Sequence, residues 1–133
     1  MGMLPSLDSA IGEQLSALIE RRGWRALSVN NGVRYADRDY VCGHVLLRVR
    51  NELGLIDLEV GSVESEESLR SASSFRDLLD PPPSGRWNLS LGAGWFIDEN
   101  WDTVCAMVSS QNWRETVGQI DDWQRRVDRQ HPR

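Results

Sequence analysis

Apolar and polar positions alternate most regularly between Tyr40 and Gly61. Val41, Gly43, Val45, Leu47 and Val49 interleave with Cys42, His44, Leu46, Arg48 and Arg50, and on a strand two such sets face opposite ways. A second run follows Asn51-Glu52-Leu53-Gly54, with Ile56, Leu58 and Val60 set against Asp57 and Glu59. With residues 51–54 as the loop, Val49 faces Ile56, Leu47 faces Leu58, Val45 faces Val60, and Arg48 falls opposite Asp57. A slip of one residue would place arginine beside isoleucine. The pattern therefore specifies a β-hairpin whose apolar face needs a covering layer.

Helical periodicity elsewhere supplies that layer. Leu7, Ile11, Leu15, Leu18 and Ile19 share one face of a helix that Ser6 or Asp8 can cap and Gly23 can stop after Arg22. Trp24–Val29 and Val33–Arg38 read as two short edge strands around the turn Asn30-Asn31-Gly32, with Asp37-Arg38-Asp39 leading into the central hairpin. Glu64–Leu79 reads as a helix with acidic residues at its positive end, weakened by five serines between 65 and 74. Residues 80–85, Asp-Pro-Pro-Pro-Ser-Gly, end it as a proline-rich internal connection. Trp87, Leu89 and Leu91 alternate as a strand, Gly92-Ala93-Gly94 turns the chain, and Trp95-Phe96-Ile97 forms another short strand. Asp98 to Asp102 open a helix carrying Trp101, Val104, Cys105 and Val108, which Ser109-Ser110 breaks. A last helix runs from Asn112 to Arg129 with Trp113, Val117, Ile120, Trp123 and Val127 at helical spacing, and residues 130–133 form a frayed tail. The order α-β-β-β-β-α-β-β-α-α predicts an α+β fold: a mainly antiparallel sheet of about five or six strands with helices packed on one face.

At 133 residues the chain is expected to be a single domain, 1–133, with a sizeable core. Its fifteen basic residues are all arginine, a usage that points to a GC-rich bacterial genome. The absence of lysine removes Schiff-base, lysine-base and P-loop chemistry. A net charge of −5 argues against nucleic acid, whose affinity comes from cationic neutralisation of phosphate, and favours a basic protein as partner. The longest apolar run, Val104–Val108, is too short for a membrane span, and no signal-peptide pattern opens the chain, so a cytoplasmic protein is expected.

Candidate chemistry is sparse, and no catalytic constellation, cofactor or metal site is expected. Cys42 and Cys105 have no zinc-ligand spacing. Buried free thiols and a disulfide between two elements both fit. Cys42 and His44, two apart on a strand and about 7 Å between Cα atoms, could pair as nucleophile and base, but a structural thiol beside an ordinary sheet histidine is the preferred account. Asp98, Glu99 and Asp102 offer oxygens to a divalent cation but lack the EF-hand loop, and helix capping explains them. Six tryptophans are an unusual number for this length, four of them between Trp87 and Trp113. Aromatic anchors ringed by carboxylates suit a basic partner, which makes Trp95, Asp98, Glu99, Trp101 and Asp102 the expected partner-binding residues.

In size, acidity and lack of catalytic residues the chain resembles small bacterial immunity proteins that neutralise a toxin. Its helix–strands–helix–strands–helix order resembles secretion-chaperone-like domains. The first resemblance implies a non-enzymatic binding module that occludes a basic toxin or effector, and the second implies a partner-holding chaperone. A small-ligand or enzymatic domain using Cys42 and His44, and a self-associating subunit, are the other classes.

Overall fold

The computed structural model describes residues 11–12, 15–53, 55–65, 68–79 and 93–130. The proposed cap at Ser6 or Asp8, the proline stretch 80–85, the strand over 87–91 and residues 131–133 lie outside them.

The elements are α1 (Ser16–Arg22), β1 (Arg25–Asn31), β2 (Tyr35–Cys42), β3 (Val45–Glu52), β4 (Leu55–Ser62), β5 (Arg70–Ser71), α2 (Ala72–Leu79), α3 (Ala93–Glu99), α4 (Trp101–Val108) and α5 (Trp113–Gln130). The five strands form one antiparallel sheet in sequence order, β1-β2-β3-β4-β5, as the alternating pattern requires. Val45, Leu47 and Val49 of β3 and Leu58 and Val60 of β4 share its inner face. They pack with Leu15 at the N-cap of α1 and Leu18 within it, Phe75 of α2, Phe96 and Ile97 of α3, Val104 and Val108 of α4, and Trp113 and Ile120 of α5. Burying each such side chain contributes roughly 1.5–3 kcal/mol, so this single apolar layer is the main stabilising term. The fold class is the expected one.

Five local features depart from the sequence reading. Asn30 and Asn31 are not in the turn but extend β1, paired with Asp37 and Ala36, so the first hairpin turns beyond Asn31. The stretch 41–50 is not one strand. Gly43 takes φ 62° in a two-residue turn with His44, so Cys42 pairs with Val45. Pairing across that turn reverses the parity: Cys42 joins the inner face with Tyr40, while Val41 joins the outer face opposite Leu46.

The β3–β4 hairpin keeps the expected faces but is two residues longer than expected. Val49 pairs with Leu58, Leu47 with Val60, Arg48 with Glu59 and Arg50 with Asp57, and the ladder runs on to Glu52 and Leu55. A shift of two conserves the side-chain faces and adds the rungs Asn51–Ile56 and Glu52–Leu55.

The described residues from Glu64 to Ser71 form no α-helix. Ser62 Oγ accepts from the Glu64 N–H, Ser65 and Ser68 N–H close successive turns, and Ser71 pairs with the edge of β4 before its hydroxyl accepts from Ser73 N–H at the start of α2. Serine hydroxyls offer the backbone these alternatives to a helix, which outweighs the dipole advantage of the glutamates.

Finally, Trp95–Ile97 lie in a helix, and residues 93–94 begin it rather than turning the chain. Gly94 is there for close packing: a Cβ would stand 2.8 Å from Leu15 Cδ2. The long final helix and the break at Ser109-Ser110 stand where the sequence places them. Among the described residues no helix is long and apolar enough to cross a membrane.

Candidate functional site

The outer face of the sheet carries two rows of charge. In one, Ser28, Asp39, Arg48, Glu59 and Ser71 stand side by side across five strands; in the other, Asn30, Asp37, Arg50 and Asp57 do. Arg48 donates to both oxygens of Asp39 at 2.8 and 2.9 Å, and Arg50 to both of Asp37 at 2.7 and 3.0 Å. Such two-pronged bonds are the strong geometry for an arginine–carboxylate pair. Both aspartates are buried, and their hold raises the affinity of Arg48 and Arg50 for their protons, the hydrogen bond being the leading cause. Ser28 Oγ also donates to Asp39 at 3.1 Å. Glu59 lacks such a bond. Burial pushes its carboxyl above the usual range, and the charges of Arg50 and Arg48 only partly oppose that.

These rows were legible in principle. Asp37 and Asp39 are spaced like Arg50 and Arg48 and lie equally far from the Gly43–His44 turn. Reading Asp37-Arg38-Asp39 as a lead-in segment hid the match.

One end of the sheet is apolar and open. Every residue of β1 is exposed, and among the described residues this edge strand pairs only with β2. Among the described residues the large exposed apolar side chains are Leu27, Val29, Val33, Tyr35, Leu53 and Leu55, all on β1, the β1–β2 hairpin or the β3–β4 hairpin. The two hairpin tips are neighbours, because Leu53 N–H donates to the Arg34 carbonyl at 3.0 Å. The Tyr35 ring lies against Gly32, with the Arg50 guanidinium 5.6 Å from its centroid. Leu53 has φ 54°, a backbone region unfavourable to a γ-branched residue, and stands 68% exposed. The pairing of Glu52 with Leu55 makes a tight hairpin connection, which calls for positive φ, so the turn accounts for the strain at Leu53.

The expected binding residues fall elsewhere. Asp98, Glu99, Trp101 and Asp102 line one open groove of about 480 Å³ together with Arg21 and Arg22. Trp95 does not line it; it packs half-buried against the core. Asp98 is buried, with Arg22 Nε donating to it at 2.8 Å and Arg21 within 3.6 Å. Trp101 meets Trp24 edge-on at 5.3 Å and lies under the Arg22 guanidinium at 5.0 Å. Two arginines thus share the groove with the carboxylates. Asp98 and Trp101 tie α1 to α3 and α4, while Glu99 and Asp102 remain exposed.

Cys42 and His44 do not meet as nucleophile and base; each is engaged with backbone. The Cys42 thiol donates to the Arg22 carbonyl at 3.5 Å. His44 Nε2 is 2.9 Å from the Cys105 carbonyl, and since a carbonyl only accepts, the proton sits on Nε2. Both cysteines are free thiols, and burial, aided by Cys42 nearby, pushes the Cys105 thiol up, keeping it protonated and weakly nucleophilic at neutral pH. Among the described residues no group of three or more His, Cys, Asp or Glu is placed to hold a metal ion.

Comparison with protein-family models, with curated proteins and with solved structures finds no match to this chain.

Proposed function

We propose that this chain is a non-enzymatic protein-binding module that engages its partner through the open end of its sheet. The observation carrying this reading is the gathering of the large exposed apolar side chains, Leu53 strained among them, on β1 and the two adjoining hairpin tips. An edge strand, as β1 is among the described residues, can accept a partner strand, and the flanking apolar side chains give that addition specificity. The net charge of −5 favours a basic partner, so the preferred mode is occlusion of a basic toxin or effector, in the manner of an immunity protein.

The test compares two variants in partner capture from the source lysate at low and high salt. One carries Val29→Glu with Leu53→Asp; the other carries Glu99→Gln with Asp102→Asn. A basic protein held by wild type and by the groove variant, and lost from the tip variant, supports the reading. Loss from the groove variant alone moves the interface to the α1–α4 groove, and no protein held at either salt overturns the reading. A wild-type dimer that the tip variant converts to monomer makes the partner a second copy of the chain.

A further inference from the structure

The two cysteines stand on facing surfaces of one layer boundary. Cys42 lies on the inner face of the sheet, on the rung next to the Gly43–His44 turn. Cys105 lies on α4 beside Val104 and packs against the same core. Two independent contacts bring them to one place. His44, two residues beyond Cys42, holds the carbonyl of Cys105 itself at 2.9 Å. The Cys42 thiol sits on the Arg22 carbonyl at 3.5 Å, and the Arg22 guanidinium lies 5.0 Å over Trp101, one helical turn before Cys105. A negative charge on Cys42 reaches Cys105 and opposes its ionisation, as a charge on a neighbour does.

Both thiols are free and half-buried, so a small oxidant has access to each. Disulfide geometry is demanding, with Cβ atoms about 3.5–4.5 Å apart. The His44 bond already ties the turn that carries Cys42 to the backbone of Cys105, which leaves rotation of the two side chains as the main adjustment.

We propose that Cys42 and Cys105 are a reversible redox pair whose disulfide latches the Gly43–His44 turn to α4. The oxidant is hydrogen peroxide. The Cys42 sulfur attacks one peroxide oxygen, the O–O bond breaks, and the other oxygen leaves as water with the thiol proton, giving a sulfenic acid. The Cys105 sulfur then attacks the Cys42 sulfur. The S–O bond breaks, the departing hydroxyl takes the Cys105 proton as a second water, and the S–S bond forms. The two thiols lose two electrons and the peroxide gains them. Burial makes the Cys105 thiol a weak nucleophile, which suits it to the second step, where its target is held beside it and proximity replaces intrinsic reactivity. A dithiol reverses the bond by exchange. His44 and Cys105 are 61 apart in sequence, so the bond closes a long loop and constrains the unfolded chain. The pair lies at the opposite end of β3 from the partner-binding tip and does not depend on that reading.

The experiment treats reduced full-length protein, kept dilute, with hydrogen peroxide, quenches samples with an alkylating agent, and follows intact mass and peptide maps. The monomer is expected to lose the mass of two hydrogens, with the Cys42 and Cys105 peptides joined, and a dithiol is expected to restore the original mass. The oxidised protein should melt at least about 5 °C above the reduced one. Cys105→Ser should stop at a sulfenic acid on Cys42 that dimedone traps. The proposal is overturned if wild type gains oxygen at either cysteine without the cross-link, if the disulfide only joins two chains, or if the cross-linked monomer melts no higher than the reduced protein.

Discussion

The two ends of the sheet are built from the same strands and obey opposite rules. At the Gly43–His44 end the backbone is locked into the helical layer: Cys42 bonds the end of α1, His44 bonds α4, and Val45 has no exposed surface. At the other end, Leu53 and Leu55 are 68% and 78% exposed, and apolar surface is left uncovered beside a strained turn. The charge rows between them grade the change. The Arg48 side chain, nearer the locked end, is 19% exposed, and that of Arg50, nearer the open end, is 34% exposed. Stability is concentrated at one end, and it is the other end that we propose serves recognition.

The largest effect that tests this contrast is core truncation. Leu47→Ala should cost about 3 kcal/mol, lost transfer energy plus a cavity between Val60 and Tyr40. Leu55→Ala should cost less than about 0.5 kcal/mol, since the residue is mostly in water already. Urea unfolding of both variants checks this, and similar losses would mean that the open end is buried in solution.

Next come the charge rows. Asp39→Asn should destabilise by about 2 kcal/mol and Asp37→Asn by about 1 kcal/mol. Both fall below the cost of breaking a fully buried pair because the arginines retain some solvent. Equal losses would contradict the gradient. The turn at Leu53 should respond in the other direction: Leu53→Asn is expected to stabilise by about 1 kcal/mol, because asparagine tolerates positive φ, while weakening partner capture. Stability gained together with unchanged capture would detach the strain from recognition.

The layout of these regions was unevenly legible in the sequence. The hairpin's faces, the stop after Arg22 and the long final helix follow from periodicity, which a register shift of two leaves intact. The turn at Gly43-His44 did not, because Val41, Gly43 and Val45 continue the alternation straight through it; only the matched spacing of Asp37/Asp39 and Arg48/Arg50 marks the fold-back. Residues 64–71 look helical until the serine hydroxyls compete for the backbone. The tryptophan-and-carboxylate cluster was visible as composition, but the arginines at the end of α1, some 76 residues away from Asp98 in sequence, had to be brought in by the fold before its mixed charge could be seen. The open apolar end was hidden for a related reason: exposure at a hairpin tip depends on how far the helices reach, and that is a tertiary quantity.

The smallest effect concerns Glu59, the residue in the Arg48 row that the gradient leaves uncompensated. Arg48 and Arg50 direct their N–H groups to Asp39 and Asp37, so Glu59 feels them only as charges, and burial dominates its titration. Its carboxyl is raised in the folded state. The native state therefore holds the proton more tightly than the unfolded chain, and stability from this group is full below the unfolded value of about 4.3 and lost as pH rises through the folded value. Glu59→Gln removes that loss. The variant should match wild type near pH 3.5 and exceed it by up to about 0.5 kcal/mol at pH 7, measured by urea unfolding at the two pH values. Should Glu59→Gln instead be the less stable protein at pH 7, Glu59 would be a true partner of Arg48, and the charge row would be stitched across all its strands rather than concentrated at Asp39.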